Sequence, residues 1–117
     1  MTDPVEVAAR AAAARLVDDT TPTLPADVER ALALRDNRQN PDQYFDPISL
    51  GALIVSIAGL AWTIYKDLRR KTPSPSPEVV ARTVRVQLDH PNELDSQRRD
   101  QIIDITVQET IKAAESA

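Results

Sequence analysis

The chain of 117 residues contains no cysteine and only one histidine. Without cysteine, disulfide bonds and thiolate metal sites are excluded. The histidine, His90, stands in the turn-forming stretch LDHPNELD, where Asp89, Glu93 and Asp95 are the nearest acidic residues. A metal or acid–base site needs several groups that converge, and the chain has no repeated His or Glu-x-x-His spacing. The sequence therefore predicts a surface turn at His90, with no metal, no cofactor and no catalytic residue.

Glycine is almost as scarce, since the chain contains only Gly51 and Gly59. Both lie in the most apolar segment, which excludes a glycine-rich phosphate-binding loop elsewhere in the chain. The formal net charge is -4, and aromatic residues make up only 3% of the sequence. Nucleic-acid binding normally requires a basic surface, so we expect no nucleic-acid partner.

The most conspicuous segment is a run of nineteen residues, Pro47 to Tyr65, that carries no charge in a chain that is 27% charged. A helix rises about 1.5 Å per residue, so about 20 apolar residues span the roughly 30 Å hydrocarbon core of a bilayer. Eight residues of the run are Ile, Leu or Val, which favour insertion by about 3 to 5 kcal/mol in total. The sequence predicts an uncleaved transmembrane helix at residues 47–66, because the run begins far from residue 1 and no small-residue cleavage site follows it.

The alternative is a buried helix of a soluble protein, because a helix that is apolar on every side can also be surrounded by other apolar elements. All four aromatic residues lie in or beside the run, which leaves no bulky side chains elsewhere to form that shell. They lie near its two ends, where membrane interfaces favour aromatic rings, and a basic cluster follows. This cluster can also bind anionic lipid head groups. The predicted membrane-interface residues are Tyr44, Phe45, Trp62, Tyr65, Lys66, Arg69, Arg70 and Lys71.

The orientation of a span follows the distribution of Lys and Arg at its ends. Within about fifteen residues of the run, four basic residues follow it and two, Arg35 and Arg38, precede it. This asymmetry predicts a cytoplasmic C-terminus. Arginine outnumbers lysine eleven to three and alanine is abundant, which is typical of a high-GC bacterial genome and indicates the plasma membrane.

Small residues recur along one side of the predicted span at spacings of three and four. Such a stripe lets two helices approach closely, and it predicts self-association of the span into a homo-oligomer. The alternative is that small residues are simply common in membrane helices. The opposite side carries Leu50, Ile54, Ile57 and Ile64. The predicted helix-packing residues are Ser49, Ala52, Ser56, Gly59 and Thr63.

Residues 1–46 form an acidic N-terminal region with nine acidic and five basic residues. Asp3 or Thr2 as a cap, Pro4 at the first helical position and an alanine-rich run predict a first helix that extends to about Val17. A second helix is predicted from about Pro25 to Asp36. The two are expected to form a helical hairpin.

The C-terminal part begins with a basic juxtamembrane segment and a Pro/Ser spacer, residues 67–77, in which KTPSPSP favours an extended conformation. In residues 78–117, Val84, Val86 and Leu88 alternate with polar residues, which predicts a β-strand. A helix capped by Asp95 or Ser96 is predicted to follow the turn. Its expected apolar face contains Ile102, Ile103, Val107, Ile111 and Ala114.

Together these patterns predict a mainly α membrane protein. A single transmembrane helix is flanked by an N-terminal helical region and a small C-terminal β-strand plus α-helix unit. The lone strand has an unpaired edge, so we expect it to pair with a second copy of the chain or with another protein. The predicted function is that of a non-enzymatic, membrane-anchored accessory or adaptor protein. The alternative is a small membrane-active effector, such as a pore-forming or holin-like protein.

Overall fold

The computed structural model describes residues 3–36, 50–87 and 96–116. Within these ranges the secondary structure is helical, without any strand. The helices in chain order are α1 (Pro4–Leu16), α2 (Leu24–Asp36), α3 (Leu50–Arg69), α4 (Pro77–Gln87) and α5 (Ser96–Ser116). The long helix α3 packs against each of the other four helices and forms the centre of the bundle.

Helix α1 begins as the sequence predicts. The Asp3 carboxylate accepts a hydrogen bond from the backbone N–H of Val5 at 3.0 Å, and Pro4 occupies the first helical position. The buried face of α1 is mostly alanine, which lets its backbone approach neighbouring helices closely. The buried residues are Val5, Ala8, Ala9, Ala12, Ala13 and Leu16.

A compact turn joins α1 to α2. The Asp18 carboxylate accepts hydrogen bonds from the backbone N–H groups of Thr20 and Thr21, at 2.9 and 3.1 Å, and from both hydroxyls. These hydrogen bonds, led by that from the Thr20 hydroxyl, lower the pKa of Asp18. In α2, Val28 and Leu32 are buried. The guanidinium of Arg10 donates hydrogen bonds to Glu29, which joins α1 to α2 and lowers the pKa of the Glu29 carboxyl.

The predicted C-terminal strand is wrong, because residues 77–87 form α4. The Ser76 hydroxyl accepts a hydrogen bond from the backbone N–H of Glu78 at 3.1 Å, and Pro77 follows at the first helical position. Such a cap and proline favour the start of a helix. Val80 and Val84, four residues apart, are both fully buried on one helical face, whereas Val86 is 81% exposed. The buried valines therefore follow the helical period, and Leu88 lies outside the described residues.

Helix α5 closes the bundle. Its predicted apolar face is confirmed, since all five of its residues are buried. Thr106 and Thr110 are also fully buried, and the Thr110 hydroxyl donates a hydrogen bond to the carbonyl of Thr106 at 2.7 Å. Arg85 joins α4 to α5 by donating a hydrogen bond to Asp104 at 2.8 Å.

The parts of the chain that precede and follow α3 contact each other directly. Helix α1 packs extensively along α5. The guanidinium of Arg15 lies 2.9 Å from the carboxylate of Glu109, and Arg98 lies 3.8 Å from Asp18. The helices before α3 and the helices after it therefore belong to one bundle, in which they pack around α3.

Candidate membrane-facing end of the long helix

Among the described residues, α3 is the one helix that is long and apolar enough to cross a membrane. Its 20 residues extend about 30 Å, which matches the hydrocarbon core of a bilayer. The central helix of a soluble bundle has the same length and composition, and 56% of the most apolar window of α3 is buried by its neighbours. Length and composition therefore do not distinguish a membrane span from the central helix of a soluble bundle. The residues around the ends of α3 give further evidence.

The C-terminal end of α3 carries a basic cluster, defined as Lys66, Arg69, Arg70 and Lys71, and all four residues are exposed. In the described part of the chain, none of the four forms an ion pair with a carboxylate. Asp67 is the one acidic residue within the stretch. The cluster is thus a local excess of positive charge on a chain whose formal net charge is -4.

An aromatic pair lies one turn before the basic cluster. Trp62 is half-buried and stacks on Tyr65, with ring centroids 6.4 Å apart and an interplanar angle of 17°. The ammonium of Lys66 lies 5.1 Å from the centroid of the Trp62 ring, which is within cation–π range. Tyr65 is only 2% exposed, so it supports Trp62 from inside the bundle. Tyr44 and Phe45, predicted for the opposite interface, lie outside the described residues.

The predicted small-residue stripe is divided by the fold. Ala52 is buried in the bundle, while Ser56 and Thr63 are exposed and Gly59 is half-buried. The Thr63 hydroxyl donates a hydrogen bond to the carbonyl of Gly59 at 3.1 Å. Ser49 lies outside the described residues. The larger residues Ile54, Ile57 and Ile64 are buried, whereas Ser56, Gly59 and Thr63 lie on the side of α3 that is less covered.

A second surface feature lies between α4 and α5, where an open groove of about 380 Å³ is bounded by charged side chains. Arg85 lines the groove, and its guanidinium lies 2.8 Å from Asp104 and 3.4 Å from Asp100. Arg82 is exposed and forms no ion pair with another described residue. The alternating residues 84–88 predicted a strand, so this groove between two helices could not be predicted. The residues that line it are Pro77, Glu78, Ala81, Arg82, Arg85, Asp104 and Gln108.

Among the described residues, no group of three or more His, Asp or Glu side chains is arranged to hold a metal ion. His90 and its acidic neighbours fall outside the described ranges, so their predicted role as a surface turn stays a prediction. No protein-family model matches the chain, and no curated protein or solved structure matches it significantly. Function must therefore be inferred from the surfaces of the molecule itself.

Proposed function

We propose that the protein is a non-enzymatic, membrane-anchored adaptor in which α3 is the anchor and α4 with α5 is the protein-binding unit. The observation that carries the proposal is the combination found on α3. A helix of 20 residues, long and apolar enough to span a bilayer, ends in four exposed cations without carboxylate partners among the described residues. Anionic head groups are the natural counter-charge for such a cluster next to an apolar helix.

The basic cluster also sets the orientation of the proposed anchor. Lys and Arg residues close to the end of a span are retained on the cytoplasmic side. The C-terminal helices α4 and α5 follow the cluster and would thus lie in the cytoplasm, beneath the plasma membrane of a bacterial cell. This placement brings the groove between α4 and α5 within reach of cytoplasmic proteins.

The proposed anchor and its orientation are tested together in bacterial cells that express the full chain with alkaline phosphatase fused after Ala117. We expect the protein to stay in the membrane pellet after carbonate washing, because a spanning helix is not displaced by alkaline salt. The phosphatase, which folds only in the periplasm, should be inactive. Release into the supernatant would contradict the anchor, and an active phosphatase would reverse the topology.

The outer side of α4 supports the adaptor part of the proposal. Val86 is 81% exposed, Val79 is 43% exposed, and Arg82, which has no ion-pair partner among the described residues, lies between them in sequence. Exposed apolar side chains next to an exposed guanidinium suit a partner that offers apolar and acidic groups. We therefore assign the protein-binding surface to α4 and its groove with α5.

Site-specific photo-crosslinking tests this surface in the full chain. With a benzophenone side chain in place of Val86, we expect one discrete adduct with a partner protein. The same probe at Ala14, which is exposed on α1, serves as the matched control and should give no such adduct. Substitution of Arg82 with Glu should weaken the adduct several-fold, because it reverses the charge offered to an acidic partner. Equal adducts from both positions would show that α4 is not the binding surface.

A second candidate function follows from the outward Ser56, Gly59 and Thr63. In a bilayer this side of α3 lets a second copy approach closely, so the span would self-associate. Self-association is compatible with an anchor and also with the pore-forming effector. We favour the adaptor because α3 has no charged residue before Lys66, which leaves little to line a water-filled path. Dye leakage from vesicles that contain the inserted full chain would favour the pore.

A further inference from the structure

The bundle and a membrane-spanning α3 are two different conformations of the same chain. In the bundle, α1 packs along α5, and Arg15 lies 2.9 Å from Glu109. A spanning α3 would place these two helices on opposite sides of a bilayer, because one precedes α3 and the other follows it. The bundle must therefore open before α3 can cross a membrane.

Helix α2 packs closely against the start of α3. At Gly51, near the start of α3, a Cβ atom would lie 2.5 Å from the backbone carbonyl carbon of Asp27 and 2.7 Å from its Cβ. Side-chain carbons do not approach backbone atoms this closely, so only glycine permits this packing of α2 on α3. At Gly59, eight residues further along, an added Cβ would have no atom of the described residues within 4 Å.

We propose that the bundle is a closed state that withholds α3 from the bilayer, and that the contact of α2 with Gly51 is its latch. Opening at this contact releases the apolar helix for insertion. The inference rests on the proposed membrane anchor and names its regulation.

Two features make this closed state suitable for release at a membrane. The basic cluster and half-buried Trp62 are accessible while the bundle is closed, so the protein can first bind an anionic surface. The ion pairs that join α1 and the turn after it to α5 are each at least partly exposed to solvent. In the Arg15–Glu109 pair the arginine side chain is 45% exposed and the glutamate 12%, and in the Arg98–Asp18 pair the values are 25% and 47%. Ion pairs that solvent reaches contribute little to stability.

The latch is tested with the full chain and vesicles of phosphatidylglycerol and phosphatidylethanolamine in equal parts. We compare the wild type with Gly51→Ala and Gly59→Ala, which add the same methyl group to the same helix. For Gly51→Ala we expect the ratio of carbonate-resistant to free protein to rise about tenfold, which corresponds to about 1.4 kcal/mol. For Gly59→Ala we expect the wild-type ratio, because the added methyl group meets no neighbour in the bundle.

The outcomes separate the latch from the anchor. If Gly51→Ala lowers the melting temperature but inserts like the wild type, the latch is refuted while the anchor stands. If none of the three proteins inserts, both the anchor and the latch are refuted.

A tethered variant gives a second test that does not depend on the folding of Gly51→Ala. The chain has no cysteine, so Arg15→Cys with Glu109→Cys can be joined by a short bis-maleimide without competing thiols. We expect the tethered protein to stay in the free fraction and the untreated double variant to insert as the wild type does. Full insertion with the tether intact would refute the closed state.

Discussion

Replacement of Lys66, Arg69, Arg70 and Lys71 with glutamine is expected to weaken binding to phosphatidylglycerol vesicles by about a thousandfold. Each basic residue near an anionic surface contributes about 1 kcal/mol, so four contribute about 4 kcal/mol at low salt. This converts to nearly three orders of magnitude in the dissociation constant. Vesicle sedimentation of the full chain measures this dissociation constant. Added salt should weaken binding of the wild type, because it screens the attraction between the basic cluster and the anionic lipid.

A pair of double variants controls for the change in net charge. Arg69→Gln with Arg70→Gln and Arg30→Gln with Arg82→Gln each remove two positive charges from exposed positions. Only Arg69 and Arg70 belong to the basic cluster, so we expect the first double variant to lower the affinity for phosphatidylglycerol vesicles by about thirtyfold. Equal losses in both double variants would mean that net charge, and not the basic cluster, governs binding.

Substitution of Ile57 with alanine is expected to destabilise the bundle by about 2 to 5 kcal/mol, because Ile57 is fully buried and its truncation leaves a cavity. Domains of this size are commonly stable by only about 5 to 15 kcal/mol, so the variant loses a large part of its stability. Urea unfolding followed by circular dichroism of the protein without lipid measures the loss.

Ser56→Ala is the matched control, since Ser56 precedes Ile57 on the same helix but is exposed. We expect its free energy of unfolding to stay within about 0.5 kcal/mol of the wild type. A small effect of Ile57→Ala in this measurement would show that α3 does not form the core in solution.

Helices could be predicted from the sequence where a capping residue marks their start or where apolar residues recur at the helical period over several turns. Asp3 and Pro4 mark the start of α1, and the apolar residues of α5 recur at the helical period over three turns. The strand prediction failed because Val84 and Val86 alternate over only a few residues. Alternation over so short a stretch does not distinguish a strand from a helix whose apolar face begins earlier, here at Val80.

The surroundings of α3 were less predictable. The scarcity of aromatic residues outside α3 predicted little apolar cover for this helix, yet the bundle covers much of it. Alanine supplies part of this cover, because a helix with small side chains can approach its neighbours closely and needs little bulk to exclude water. The groove between α4 and α5 and the close approach at Gly51 depend on how helices distant in sequence pack, so no local pattern indicates them.

The alanine face of α1 has a consequence for the entropy of docking. Ala8, Ala9, Ala12 and Ala13 are all buried, with at most 1% of each exposed. Alanine has no side-chain rotamers to immobilise, so these four positions dock without the entropy loss that leucine or methionine would incur. They also remove little apolar surface from water, and the heat-capacity change on releasing α1 is correspondingly small. The attachment of α1 should thus vary less with temperature than that of α5, whose buried face contains three isoleucines.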